Sequence, residues 1–243
     1  MITLEDVRAA AQRIAPFIRH TPTIAVDATS EPTGVDRLGL KLECLQPTGS
    51  FKVRGATNKL LTTPKAQLAA GVVTASGGNH GLAVARAARM AGVAATIFVP
   101  KSITPPKVAK LKLLGARVEI IGDIWNDTNR HALDFASREG AAYFHPFADP
   151  AVVAGQGTVA LELLAERPDI DVVLVAIGGG GLISGMGVAL KALKPSIRLI
   201  GIEPEGSPTL KASLDAGHVV RLPAVTSRVA TMSCAETDPA VFE

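Results

Sequence analysis

Near the start of the chain, apolar residues recur with the period of an α-helix. They lie at helical spacing from Leu4 to Ile14, which predicts an amphipathic helix. Thr3 and Asp6 have the spacing of a capping box at the start of that helix. Pro16 follows closely and predicts its end.

A different rhythm begins at residue 71, where short β-branched segments alternate with helical segments. The predicted strands are residues 71–75, 95–99, 117–121 and 141–144. Pro105 opens one intervening helix and Gly115 ends it, while Asn126 opens the next and Gly140 ends it. Such alternation is typical of βαβ units, so we expect a parallel sheet flanked by helices.

A second α/β unit is predicted beyond residue 150. It contains, in chain order, a helix at 159–166, an apolar strand at 172–177, a helix from Leu182, a strand at 198–203 and a helix opened by Ser207 and Pro208. Earlier in the chain, residues 40–43 alternate like a half-buried strand and run into a polar loop that contains Lys52. The boundaries between these parts are expected near residues 62–70 and 146–150.

Composition narrows the class of protein. Hydrophobic residues make up 47% of the 243 residues, enough to bury a sizeable core. The net charge of +3 and the pI near 9.0 come from dispersed Lys and Arg residues without a basic run, so we expect no nucleic-acid partner. The sequence lacks a signal-peptide pattern and an apolar stretch of bilayer length. Its two cysteines form no disulfide framework or metal motif, and we expect a cytoplasmic protein without a membrane partner.

The strongest local signal for chemistry is the run of four glycines from Gly178 to Gly181. It follows an apolar strand and precedes a helical segment. Glycines let the backbone bend closely around an anion, and the N-terminus of the next helix offers unpaired N–H groups and the positive end of its dipole. The sequence is not a Walker loop, and its match to a dinucleotide fingerprint is ambiguous. We interpret it as a phosphate-binding loop.

Two further segments carry candidate binding groups. Residues 74–81 form a second junction between a strand and a helix, in which Ser76, Asn79 and His80 suit either ligand binding or purely structural roles such as a helix cap. Most lysines are solvated surface charges. A buried lysine near a phosphate loop, however, has a lowered pKa and is a candidate imine former. The residues alone do not select Lys52 over the other lysines.

Three segments together resemble fold-type II pyridoxal-phosphate (PLP) enzymes, in the branch of serine/threonine dehydratases and serine racemases. They are residues 49–56, 76–81 and 178–182, with the sequences GSFKVRGA, SGGNHG and GGGGL. The resemblance implies an α/β fold of the tryptophan synthase β type, with two domains that each contain a mostly parallel sheet flanked by helices. The large, PLP-binding domain would comprise residues 1–62 and 149–243, with its C-terminal part missing, and the small, mobile domain would comprise residues 63–148.

The resemblance also implies roles for individual residues. Lys52 would be the Schiff-base lysine and the base that removes the α-proton, and Phe51 would lie beside the cofactor. Asn79 would bind the 3′ oxygen of PLP. The cofactor phosphate would be held by Gly178, Gly179, Gly180, Gly181 and Leu182. The carboxylate of a small amino-acid substrate would be held by Ser76, Gly77, Gly78, Asn79 and His80.

The activity that this resemblance implies is a β-elimination. L-Threonine or L-serine would be dehydrated and deaminated to a 2-oxo acid and ammonia by a homodimer. Cysteine synthases of the same superfamily carry different versions of all three segments, so elimination is expected rather than β-replacement. Two alternatives stay open. One is an ammonia-lyase for another β-substituted amino acid, such as diaminopropionate or hydroxyaspartate, and the other is a catalytically inactive relative that binds a ligand.

The chain departs from the family pattern at several positions. Racemases of this branch usually have a serine where this chain has Gly77, so we expect negligible racemisation. Glu203 matches the family's loop for a divalent cation, but Thr209 replaces its aspartate, so binding of Mg²⁺ or Ca²⁺ is expected to be weak. Cys234 lies in a segment that loosely resembles the Cys-Gly-Glu of diaminopropionate ammonia-lyases. Relatives also continue beyond this length, and their later residues face the pyridine nitrogen.

Overall fold

A computed structural model describes residues 2–27, 29–31, 33–35 and 37–243. Within them, the α-helices are α1 (Leu4–Ile14), α2 (Lys52–Thr62), α3 (Lys65–Leu68), α4 (Asn79–Ala91), α5 (Pro105–Leu113), α6 (Trp125–Glu139), α7 (Pro150–Glu166), α8 (Gly181–Leu193), α9 (Thr209–Ala216) and α10 (Pro239–Phe242). The strands are β1 (Thr23–Val26), β2 (Leu38–Lys41), β3 (Val72–Ala75), β4 (Ala95–Val99), β5 (Arg117–Ile120), β6 (Ala142–Tyr143), β7 (Val172–Ala176) and β8 (Arg198–Ile202). None of the described helices combines the length and apolarity needed to cross a bilayer.

The N-terminal helix begins as its sequence predicts. The Thr3 hydroxyl accepts a hydrogen bond from the N–H of Asp6, and the N–H of Thr3 donates to the Asp6 carboxylate at 2.8 Å. These reciprocal bonds form the capping box and satisfy two N–H groups that would otherwise lack acceptors. The buried face of α1 consists of Val7, Ala10 and Ile14.

Residues 72–143 contain a four-stranded parallel sheet in the order β5-β4-β3-β6. All four strands lie where the sequence predicts them, and their ends differ by at most one residue. Successive side chains face opposite sides of the sheet. Val72 and Ile97 therefore pack in the core with α4, whereas Val73 and Phe98 pack in the core with α6. The predicted parallel sheet flanked by helices is confirmed.

The rest of the described chain contains two smaller pairs of strands. Strands β7 and β8 are parallel, with Val172 opposite Arg198. Strands β1 and β2 are antiparallel, with Thr23 opposite Lys41. The alternation at residues 40–43 predicts a strand two residues too late, and the sequence analysis did not identify β1. Helix α7 packs against α1, α2 and α8.

Helix α7 is nine residues longer at its N-terminus than predicted. It begins at Pro150, and the Asp149 carboxylate caps it by accepting from the N–H groups of Ala151 and Val152. The prediction began at 159 because residues 155–157 read Gly-Gln-Gly, which disfavours a helix. The start of α6 is also corrected, since Ile124 rather than Asn126 precedes its first turn.

The prediction of a polar loop around Lys52 is wrong, because Lys52 is the first residue of α2. Arg54 on this helix is completely buried. Its guanidinium donates to both carboxylate oxygens of Glu43, at 2.7 and 2.8 Å, and of Glu162, at 2.6 and 2.9 Å. Lys41 lies 3.0 Å from Glu162. This ion-pair network ties α2 to α7 and fixes the position of the residues that begin α2.

Candidate functional site

The loops that follow β3 and β7 and the start of α2 surround one cavity of about 1430 Å³. The three sequence segments that predict a site meet there. The predicted cofactor and substrate contacts all line its wall, namely Phe51, Lys52, Ser76, Gly77, Gly78, Asn79, His80, Gly178, Gly179, Gly180, Gly181 and Leu182. Their individual roles stay predictions, but the folded chain places them around a common space.

Lys52 presents its amine to this cavity from the first turn of α2. Its Nζ donates a hydrogen bond of 2.6 Å to the carbonyl oxygen of Pro146 and lies 5.2 Å from the centre of the Phe51 ring. Burial lowers the pKa of Lys52 to about 8. A low dielectric disfavours the ammonium form. A substantial fraction of the amine is therefore neutral near physiological pH and able to act as a nucleophile or base.

The junction between β3 and α4 forms a second wall of the cavity. Gly78 is the N-cap of α4 and gives it no side-chain cap, and its own N–H donates to the Ser76 hydroxyl at 3.3 Å. Ser76 and Asn79 are therefore not the caps of this helix. The N–H groups of Gly77, Asn79 and His80 meet no acceptor in the described part of the chain. Free N–H groups at a helix N-terminus suit a carboxylate.

Gly77 occupies a place where a side chain has little room. A Cβ atom there would lie 2.7 Å from Cδ1 of Ile103 and 3.4 Å from Cγ1 of Val99. A serine at this position would therefore displace the end of the Ile103 side chain. The packing around Gly77 therefore favours glycine, a residue without a side chain that could donate a proton.

His80 is buried, with 2% of its surface exposed. Its Nε2 lies 3.1 Å from the carbonyl oxygen of Phe144, and its Nδ1 has no partner among the described residues. Burial, helped by the charge of Lys52, lowers the pKa of His80 to about 3. The ring is therefore neutral, and the Phe144 carbonyl requires the proton on Nε2. This leaves Nδ1 as a buried acceptor.

The glycine loop forms the third wall. Gly180 has a φ of +93°, a conformation that side chains other than hydrogen rarely permit. The backbone N–H groups of residues 178–183 donate to no acceptor within the described ranges. They lie at the N-terminus of α8, where the helix dipole adds positive potential. The loop therefore has the donors and the field that bind a phosphate.

Packing supplies a second reason for the glycines. A Cβ atom on Gly179 would lie 2.2 Å from the ring of Phe147, and one on Gly181 would lie 2.4 Å from the Phe147 carbonyl oxygen. On Gly180 it would lie 2.3 Å from Val241. The Thr237 hydroxyl donates to the carbonyl oxygen of Gly179 at 3.3 Å. Side chains here would push away the segments that hold the loop in place.

Glu203, the predicted metal ligand, lies beside the start of α9. Its two carboxylate oxygens accept from the N–H groups of Leu210 and Lys211 at 2.8 and 2.9 Å, so it satisfies the start of α9. Ser207 and Thr209 both donate to the carbonyl oxygen of Cys234. Among the described residues, Glu203 belongs to no group of three side chains able to hold a metal ion. The hydroxyl groups of Ser207 and Thr209 therefore link the loop before α9 to the backbone at Cys234.

Sequence reasoning assigned no place in the site to three residues that line the cavity. Pro146 accepts the Lys52 hydrogen bond, and His145 and Cys234 border the same space. Burial raises the pKa of Cys234, so its thiol stays protonated near neutral pH. The segment around His145 lay at an expected boundary between domains, and its sequence carries no motif that distinguishes it from an ordinary connection.

The residues around the cavity fit PLP. The N–H groups at the start of α8 suit its phosphate, and the amine of Lys52 suits its aldehyde. The amide of Asn79 offers a donor for a ring oxygen. The hydroxyl of Ser50 lies at the same cavity, is buried and has no partner in the described chain. A ligand with polar oxygens would satisfy these groups, which otherwise lack partners.

Comparisons with known proteins give relatives of one kind. Residues 14–243 match the family model described as "Pyridoxal-phosphate dependent enzyme". The chain is 43% identical over 222 residues to an L-threonine ammonia-lyase of Thermotoga maritima. This match covers 91% of the present chain and 55% of the relative. It is 38% identical over 229 residues to a serine racemase of Oryza sativa subsp. indica, and this match covers 92% of the present chain and 66% of the racemase.

Solved structures agree with the sequence relatives. The processed form of threonine deaminase isoform 2 from Solanum lycopersicum superimposes with a TM-score of 0.93 at 33% identity, covering 98% of this chain and 69% of the other. This chain spans about half the length of the first curated relative. A family match over nearly the whole chain, together with the fold and the cavity, leaves one conclusion. The chain belongs to the pyridoxal-phosphate dependent enzyme family and has the fold of its fold-type II members.

Proposed function

We propose that this chain forms the core of a PLP-dependent ammonia-lyase that converts L-threonine or L-serine to a 2-oxo acid and ammonia. The observation that carries the proposal is the lowered pKa of Lys52, about 8. Its amine lies in the same cavity as the free N–H groups at the start of α8. An amine of this kind can both bind an aldehyde and accept a proton from carbon. The 43% identity to an L-threonine ammonia-lyase supports the choice of reaction.

Lys52 would hold the aldehyde of the cofactor, and the N–H groups of residues 178–183 would hold its phosphate. The bound cofactor withdraws electrons from the α-carbon of the substrate. Once its amine is released by the substrate, Lys52 Nζ accepts the α-proton. The β-hydroxyl would then leave with one proton as water, which balances the α-proton that Lys52 accepts. The enamine that remains would tautomerise to an imine, and hydrolysis of this imine would give the 2-oxo acid and ammonia.

Other residues would orient the substrate around this amine. The carbonyl oxygen of Pro146, 2.6 Å from Lys52 Nζ, holds the amine at the cavity wall. The free N–H groups at the start of α4, with the Ser76 hydroxyl, suit the substrate carboxylate. Gly77 has no proton to give to the opposite face of the α-carbon, which favours elimination over racemisation.

Mapping the cofactor bond tests the role of Lys52. The protein is incubated with PLP, reduced with borohydride and digested, and the peptide that carries the cofactor is identified by mass spectrometry. We expect the adduct at Lys52 alone. The matched control is Lys110→Ala, which removes an exposed lysine of α5, and it should keep the adduct. Labelling elsewhere, or no labelling of the wild type, would contradict the proposal.

Release of 2-oxo acid tests the reaction. L-Threonine, L-serine, diaminopropionate and 3-hydroxyaspartate are compared at equal concentrations, and Lys52→Ala is compared with the wild type. We expect the hydroxy amino acids L-threonine and L-serine to be preferred, and loss of the lysine to lower the rate by about 10²–10⁴-fold or more. A preference for one of the other two substrates would identify a different ammonia-lyase. Cofactor binding without any 2-oxo acid would indicate a ligand-binding relative.

The domain division and the assembly belong to the same proposal. We infer that residues 63–148 form a small domain that moves relative to residues 1–62 and 149–243, and that two copies form a homodimer. The four-stranded sheet lies within the first of these ranges, and the pairs β1-β2 and β7-β8 lie within the others, which supports the boundaries. Light scattering of the purified protein measures the assembly directly.

A further inference from the structure

His145 borders the cavity one residue before Pro146, whose carbonyl oxygen accepts the hydrogen bond from Lys52. Its imidazole Nδ1 accepts two backbone hydrogen bonds, from the N–H of Ala148 at 2.9 Å and from the N–H of Phe147 at 3.3 Å. The ring also packs edge-on against Phe147, with a centroid distance of 4.6 Å. The imidazole is therefore held in one orientation by the turn that follows it.

These contacts fix the position of the imidazole proton. Since Nδ1 accepts from backbone donors, a neutral His145 carries its proton on Nε2. Burial lowers the pKa of His145, the charges of Asp238 and Asp149 raise it, and that of Lys52 lowers it, with a net decrease. The ring is therefore mainly neutral at physiological pH.

The Nε2–H group has no protein acceptor within the described residues. The Nε2 atom is not fully buried. It is therefore accessible, on a residue that borders the cavity. A neutral, oriented donor of this kind is available to a ligand.

Charge decides which ligand atom suits this donor. The two helix N-termini offer several N–H groups and positive potential, which suit the phosphate and the carboxylate. A single neutral N–H suits a neutral acceptor such as a hydroxyl oxygen. An ammonium group has no lone pair and cannot accept from it. The donor therefore distinguishes a β-hydroxyl from a β-amino substituent.

We propose that the Nε2–H of His145 donates a hydrogen bond to the β-hydroxyl oxygen of the substrate and so selects hydroxy amino acids, an inference that rests on the proposed lyase function. His145 keeps its proton in this role and positions the leaving group. Its neighbour Pro146 contacts Lys52, so the hydrogen bond would form close to the carbon atoms that react.

Binding of L-serine and L-alanine tests the proposal, because the two differ only in the β-hydroxyl. Dissociation constants are taken from the first absorbance phase after rapid mixing with the PLP-loaded protein, before turnover. In His145→Phe we expect binding of L-serine to weaken about tenfold, the value of one lost hydrogen bond, and binding of L-alanine to stay within about twofold. His145→Gln, which keeps a donor, should recover most of the loss. The control His131→Phe replaces an exposed histidine on α6 and should change neither constant.

Equal weakening of both amino acids in His145→Phe, or weakening of neither, would overturn the proposal. Nitrogen NMR of the histidine rings gives a second measurement that needs no turnover. We expect the His145 proton on Nε2, and a proton on Nδ1 would also overturn the proposal. A wild type that prefers L-serine to L-alanine through His145 but releases no 2-oxo acid would contradict the lyase function alone.

Discussion

Helices α7 and α8 approach each other closely at Gly185. Replacing this glycine with alanine should therefore destabilise the protein, although the same change usually stabilises a helix. A Cβ atom on Gly185 would lie 2.2 Å from the carbonyl oxygen of Val153 and 2.7 Å from the amide nitrogen of Gly157. Both are backbone atoms of α7 and cannot rotate away. In an exposed helix the change from glycine to alanine stabilises by about 1 kcal/mol. Here the helices would have to separate by roughly 1 Å to restore ordinary contact distances.

Overpacking of a core costs about 1–3 kcal/mol and sometimes more, so we expect Gly185→Ala to be destabilised despite its better helix propensity. For a protein of this size each kcal/mol lowers the melting temperature by about 2–4 °C. Since α8 also carries the glycine loop at its N-terminus, affinity for PLP should fall as well. Urea denaturation followed by circular dichroism and a PLP titration measure the two effects.

Gly187→Ala, two residues further along the same helix, is the matched control. A Cβ atom there would meet only the end of the Leu199 side chain, at 3.2 Å, which can shift. We expect this variant to be as stable as the wild type or more stable, by up to about 1 kcal/mol. If Gly185→Ala were as stable as Gly187→Ala, the close approach of the two helices could not be as described.

Three further predictions concern acid stability, metal and stereochemistry. Burial raises the pKa of Glu162, but hydrogen bonds and charges from Arg54 and Lys41 lower it to below the ordinary 4.5. The resulting stability is present above pH 4.5 and is lost as the pH falls through the lowered value. Because Arg54 keeps its pair with Glu43, Glu162→Gln should destabilise the protein by about 1–3 kcal/mol at neutral pH and by less in acid. A chelator should leave the melting temperature unchanged, because α9 already uses both oxygens of Glu203; a fall would indicate a bound cation. L-Serine should yield no D-serine on chiral chromatography, because Gly77 has no acidic proton, and D-serine formed as fast as pyruvate would contradict this.

The local sequence predicted much of the fold because its signals agree with the tertiary structure. Strands β3 and β4 are short, rich in β-branched residues and buried along their whole length. Strands β5 and β6 lie at the two edges of the sheet and are less buried. The left-handed glycines Gly115 and Gly140 follow α5 and α6 closely, as predicted. At such ends, the backbone conformation itself demands the residue type.

The failures occur where tertiary contacts override local preference. Gly155 and Gly157 disfavour a helix, yet α7 needs them, since a Cβ on Gly155 would lie 2.6 Å from Cα of Gly55 and one on Gly157 2.6 Å from the carbonyl oxygen of Gly185. The apolar spacing of Val53, Ala56 and Leu60 does indicate α2, but Gly55 and the intervening polar residues obscured it. An arginine such as Arg54 is also expected at the surface from sequence alone. It is buried here because the fold brings Glu43 and Glu162 beside it.

The site depends on a segment that carries no signal of its own. Residues 144–149 connect β6 to α7, and several of their contacts reach other elements around the cavity. Pro146 receives the Lys52 amine from α2, Phe147 packs on the glycine loop before α8, and Asp149 caps α7. The same turn presents the two N–H groups that fix the ring of His145. Motifs therefore identify the ends of α2, α4 and α8 that bind ligands, whereas the relative placement of those ends depends on a connection whose importance only the folded chain reveals.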